Sequence, residues 1–117
     1  MTCKIFIPLH EEEVAPRFDL STEVLIAECD PDGRILQEKV LILPGPSAER
    51  LSHMIVTEHI RTVICGGIDQ EIYDYLTWKR IEVIDNVIGP AAPVLRRCAA
   101  GSLNSGDILW PAPTPQP

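Results

Sequence analysis

Apolar and polar positions along the chain keep two different periods, and the change of period predicts its elements. The stretch "CKIFIPL", Cys3 to Leu9, reads as a strand, with Cys3, Ile5 and Ile7 on one side and Phe6 on the other. Pro8 removes a ladder donor, so pairing should weaken there. "HEEEVAPRFDLS" is polar, carries Pro16 and shows no helical stripe, so a loop is expected. "TEVLIAEC" (Thr22 to Cys29) and "ILQEKVLIL" are two further strands. "DPDGR" joins them into a hairpin, because proline presets φ and Gly33 accepts a positive φ. In the second of these strands Leu36, Val40 and Ile42 share one face, interrupted by Glu38, while Gln37 and Lys39 point the other way.

From "PGPS" onward the helical period enters. Ser47 suits an N-cap, and "AERLSHMIVTEH" places Ala48, Leu51, Met54 and Ile55 on one stripe with His53 nearly opposite. "IRTVIC" has too little polar alternation for an exposed sheet and reads as a parallel strand buried on both faces. After Gly66-Gly67, Asp69 is the expected cap of a helix over "QEIYDYLTWKR", with Ile72 and Leu76 inward. "IEVIDNVI" is the last strand and "GPAAPVLRRCAAG" the last helix. Pro93 is tolerated there only near the helix start.

The order β-β-β-α-β-α-β-α predicts an α/β fold: a mixed five-stranded sheet, order 3-2-1-4-5, with strand 2 antiparallel and helices flanking it. Strands one, four and five should run parallel and lie centrally. Ligands of such sheets bind beyond the carboxyl ends of the parallel strands. Those ends are Leu9-His10, Cys65-Gly66-Gly67 and Ile88-Gly89-Pro90, so His10 and Cys65 should face one crevice. A single domain over residues 1–103 is expected, followed by a proline-rich tail over 104–117.

Composition narrows the function. The chain has 117 residues, 45% of them apolar, which suits one globular domain. Its net charge of −7 argues against a nucleic-acid backbone and against an anionic membrane surface as partner. No apolar run reaches the length of a spanning helix, and the N-terminus lacks a signal-peptide pattern, so a cytoplasmic location is expected. The four cysteines, Cys3, Cys29, Cys65 and Cys98, form no CxxC pair, which disfavours a zinc ribbon or a dense disulfide framework.

Candidate chemistry centres on "VICGGID". Cys65 precedes two residues without side chains and a helix N-terminus, where a thiolate would be eased. Residue type alone favours a buried thiol, because free cysteine is commonly buried. His10 is a ligand or a solvated loop residue, and "HEEE" reads as a solvated run. Arg17 and Asp19 fix their loop or bind an anion through Arg17. Cys3, Cys29 and Cys98 read as core. GxSxG, HExxH and GxxxxGK[ST] are all missing, and strand one has no carboxylate for a nuclease's Mg²⁺. A cysteine-dependent enzyme would have only His10 as base for Cys65.

Three segments together, "KIFIPL…EEEVAPRFDLSTEVLI", "VICGGI" and "IEVIDNVIGPA" with "AAGSL", resemble the dinitrogenase iron–molybdenum cofactor biosynthesis family, over roughly Lys4 to Leu103. The resemblance implies a ribonuclease H-like fold used for binding, without catalysis. It implies a carrier for an iron–sulfur or iron–molybdenum cluster precursor, working between metallocluster donor and acceptor proteins. It places Val14 to Asp19, including Arg17 and Phe18, at the site mouth and Cys65 to Ile68 opposite. In that reading Cys65 is a thiolate ligand, His10 a second ligand, Gly66 and Gly67 backbone donors, and Arg17 the charge balance. The alternative on the same fold is a cofactor-free interaction or regulatory module.

Overall fold

The computed structural model describes residues 2–109. Strand β1 (Cys3–His10) leads into a two-residue strand β2 (Glu13–Val14) and a 3-10 turn at Phe18–Leu20. Strands β3 (Glu23–Cys29) and β4 (Ile35–Ile42) follow, then helix α1 (Ala48–Thr57), β5 (Thr62–Ile64), α2 (Gln70–Trp78), β6 (Glu82–Ile84) and α3 (Ala91–Ala99). The class is mixed α/β, and the expected five-stranded sheet, order 3-2-1-4-5, is corrected to six strands: a two-residue strand after the first shifts the numbering, while the five longer strands keep their expected places. The sheet has six strands, ordered β4-β3-β1-β5-β6, with β2 paired to β1 off that path. The sixth strand arises because "HEEEV" is a tight hairpin: His10 pairs with Glu13 and Leu9 with Val14, around Glu11 at φ 60°. β3 runs antiparallel to both β1 and β4, whereas β5 is parallel to β1 and β6. β6 is an edge strand rather than a central one.

Strand alternation divides the interior in two. Ile5, Ile7, Leu9, Leu25, Ala27 and Ile64 point to one face, where Val94 and Leu95 of α3 cover them. Phe6, Val24, Ile26 and Val63 point to the other, under Leu51 and Ile55 of α1 and Leu76 of α2. The period-2 pattern of β1 and β3 thus puts apolar residues on both faces because both faces carry helices.

Local signals hold at several points. Gly33 (φ 87°) closes the β3–β4 turn, and Asp30 Oδ1 accepts from the Asp32 and Arg34 amides. The Ser47 hydroxyl accepts from Arg50 N and caps α1. Pro93 is the third residue of α3, inside its first turn, where no intrahelical donor is lost. Asp69 occupies the N-cap position of α2 but makes no side-chain cap bond, contrary to expectation.

β4 departs furthest from its pattern. Its apolar face stays in water, with Leu36 55%, Val40 53% and Ile42 77% exposed. Val40 pairs with Leu25, so this face lies on the α3 side of the sheet. Helix α3, nine residues and about 14 Å long, packs over β1 and reaches β4 only at its C-terminal end, where Ala99 meets the Gly33 turn and Ile35 joins the same cluster, so Leu36, Val40 and Ile42 stay uncovered.

Beyond Leu103 the chain still follows the body: Ile108 bridges Ile88, and Leu109 N donates to Ile88 O at 2.7 Å. The stretch "WPAPTPQP" lies outside the described residues. No helix among the described residues is long and apolar enough to cross a membrane.

Candidate functional site

The carboxyl ends of β1, β5 and β6 meet where the sequence places them, but the side chains there divide differently. The β1–β2 hairpin is anchored from both sides. Ala15 N donates to Pro8 O at 2.8 Å, Val14 N to Gly89 O at 3.0 Å, and Ala91 N to Glu12 O at 2.9 Å. This fixes Ala15-Pro16 directly across the loop after β5. Gly67 N donates to Pro16 O at 2.7 Å, and Phe18 N donates to Gly67 O at 2.8 Å. A Cβ on Gly66 would stand 2.5 Å from Ala15 O and 2.6 Å from Pro16 O. The two glycines therefore let two backbone segments cross in contact. The Gly67 amide is engaged within the protein, which corrects its expected role as a donor to a ligand.

Cys65 lies behind this seam. Its side chain is 0% exposed and belongs to the cluster of Phe6, Phe18, Val63 and Leu76. Burial first, and Asp85 second, push its thiol up to about 12. At neutral pH it is a protonated core group. The expected crevice-mouth thiolate is corrected: at this strand position the side chain points under the helices, not out of the strand end. Phe18, also expected at the mouth, is 0% exposed in the same cluster. Ile68 is half-buried against it.

His10 and Arg17 are available to solvent. Both line a cavity of about 400 Å³ between the end of β1 and the segment from Ala15 to Glu23. The Arg17 guanidinium donates to Asp19 from Nε (3.1 Å) and Nη2 (3.0 Å). The hydrogen bond and charge of Asp19 raise the Arg17 pKa. Arg17 remains 57% exposed, and Nη1 takes no part in the pair. Leu20, Thr22 and Glu23 complete this wall, and sequence reasoning did not single them out. Only the fold of the 3-10 turn against the start of β3 brings them there. A second cavity of about 400 Å³ lies across Pro16, lined by Glu13, Gly66, Gly67, Asn86 and Ile88. Asn86 adopts φ 57°, and its N donates to Gly66 O at 2.9 Å. An Asn able to take a left-handed conformation was the legible signal for that turn. The "HEEE" carboxylates are exposed around the hairpin. Among the described residues no three histidine, cysteine or carboxylate side chains converge as a metal-binding group.

No protein-family model matches the chain, and no curated protein matches it in sequence. Solved structures do match its fold. The crystal structure of PH0822 superposes with a TM-score of 0.78 at 19% identity, over 87% of this chain and 93% of that one. The "putative dinitrogenase (MJ0327)" of Methanocaldococcus jannaschii matches in its crystal structure with a TM-score of 0.71 at 21% identity, over 89% and 94% of the two chains. Its NMR structure gives 0.72 at 23% identity, over 90% and 93%. The shared property at these identities is the fold.

Proposed function

We propose that the protein is a non-catalytic carrier in metallocluster assembly, built on a ribonuclease H-like arrangement. Its cargo is an iron–sulfur or iron–molybdenum cluster precursor, received from a donor protein and passed to an acceptor. One observation carries the reading: at the carboxyl ends of the parallel strands, His10 and Arg17 share a solvent-open cavity while Cys65 is withdrawn from it. A neutral imidazole is a competent iron ligand, and a guanidinium offsets the charge of an anionic cluster. Cys65 does not fit the donor set, because its proton is held and its sulfur is enclosed. The name of the Methanocaldococcus jannaschii neighbour supports a nitrogenase-related setting. Four free thiols suit a reducing, cytoplasmic compartment.

The test is anaerobic reconstitution with ferrous iron and sulfide, read by visible absorption and iron content. The carrier reading expects coloured protein, lower iron retention in His10→Ala, and unchanged retention in Cys65→Ala. Colourless protein would reject it in favour of the second reading, a cofactor-free interaction module. The exposed Leu36, Val40 and Ile42 along an open sheet edge favour that alternative. Loss of iron in Cys65→Ala with the fold intact would return the thiol to the ligand set.

A further inference from the structure

The pole of the sheet opposite the cleft holds two thiols that the carrier reading does not use. β1 begins at Cys3 and β3 ends at Cys29, and the antiparallel register pairs these two residues directly. Directly opposed residues on neighbouring antiparallel strands project to the same face, with Cα atoms about 4.5–5.5 Å apart. A disulfide needs roughly 4.4–6.8 Å. The register therefore places the two Cα atoms within the span of a disulfide.

The two cysteines have unlike surroundings. Cys3 is half-buried, and Arg61 Nη1 donates to its sulfur at 3.6 Å. Cys29 is 4% exposed and sits in the apolar cluster under α3, with Cys98 packed against that cluster. Burial is the first cause holding the Cys29 thiol in its protonated form, and the neighbouring Cys3 adds to it. A partly open sulfur beside a guanidinium, next to an enclosed protonated one, is the arrangement of an attacking and a resolving thiol.

We propose that Cys3 and Cys29 form a redox-active dithiol that peroxide closes to an intrachain disulfide. In the first step the Cys3 thiolate sulfur attacks one peroxide oxygen. The O–O bond breaks, Cys3 becomes a sulfenic acid, and the departing hydroxide takes up the proton released by the Cys3 thiol and leaves as water. In the second, the Cys29 sulfur attacks the Cys3 sulfur. The S–O bond breaks, and the oxygen leaves as water with the Cys29 proton. The two sulfurs lose two electrons and the peroxide gains them. A dithiol reductant reverses the reaction by thiol–disulfide exchange. Cys3 and His10 stand at opposite ends of β1, about 23 Å apart along the strand, so closure occurs away from the cleft.

The experiment uses the full chain, reduced and freed of reductant, treated with hydrogen peroxide, then denatured, alkylated and weighed. The proposal expects two of the four thiols to escape alkylation, a peptide cross-link between Cys3 and Cys29, and recovery of all four with dithiothreitol. Cys98→Ala should close in the same way. Cys29→Ser should stop at a Cys3 sulfenic acid that dimedone traps. Four alkylated thiols after peroxide, a Cys29–Cys98 link, or a cross-link between two chains would each overturn it.

Discussion

The seam where Ala15-Pro16 crosses Gly66-Gly67 and the cleft holding His10 and Arg17 share Pro16 as a wall, yet they are built in opposite ways. In the seam, carbonyl oxygens sit where a Gly66 side chain would begin, and the flanking Cys65 and Phe18 are fully enclosed. In the cleft, His10 and Arg17 stay in water, with Arg17 paired to Asp19 and the buried Ser21 hydroxyl donating to Phe18 O at 2.8 Å. The residues with the most ligand-like appearance in the sequence, a thiol and two glycines, serve packing. Those resembling loop filler keep their chemistry free. A strand end selects for function only if the side chain points out of the sheet's covered face.

Five measurements would sharpen or break this contrast. The largest effect should come from Phe18→Ala, which empties a fully buried aromatic site and should cost about 3–5 kcal/mol. Denaturant unfolding would show the midpoint falling with an unchanged slope. A loss as small as that of a surface change would mean that the 3-10 turn is not part of the core.

Gly66→Ala comes next, at about 1–3 kcal/mol, because both contacts are backbone oxygens that must move. Gly67→Ala should cost less, since its Cβ would meet Pro16 O at 3.3 Å. Equal melting temperatures for the two variants would argue that the crossing is not sterically set.

At Cys65 the order of two substitutions matters. Cys65→Ser places a hydroxyl in an apolar cluster and should destabilise by about 1–3 kcal/mol. Cys65→Ala should cost less, near 1 kcal/mol. The reverse order in unfolding midpoints would indicate a polar or solvated site.

The buried Cys65 and the half-buried Cys98 also set an alkaline limit. Cys65 and Cys98 are raised from an ordinary value of 9.0 to about 12, chiefly by burial. The unfolded chain releases those protons first, so it is favoured as pH rises. Stability from this source should be complete below pH 9 and lost between pH 9 and about 12. A flat melting temperature across that window would contradict the enclosed placement of Cys65 and the partial burial of Cys98.

The smallest effects belong to the cleft. Arg17→Ala and His10→Ala remove exposed side chains, and neither should move the thermal midpoint measurably. Marked destabilisation in either would turn the cleft into a second structural seam.

By itself, the sequence determined much of the architecture. Alternation in "CKIFIPL" and "TEVLIAEC" marks strands, "DPDGR" a hairpin, and the Ser47 cap with its apolar stripe a helix, because these signals act within a few residues of one another. The meeting of the His10 loop with the glycine loop was legible too, since parallel crossovers bring carboxyl ends together. Other features needed the assembled sheet. The same run of Leu36, Val40 and Ile42 would be core under a longer helix and is surface here, because α3 packs over β1 and meets β4 only near Ile35. The β1–β2 hairpin at "HEEEV" is held because the Gly89 and Pro8 carbonyls accept the Val14 and Ala15 amides. Cys65 points inward because its strand position alternates with Ile64 across a sheet covered on both sides. Pattern fixes which residues alternate. Which of the two faces is covered, and how far the cover extends, depends on elements distant in the chain, and that decided whether a thiol became a ligand or part of the core.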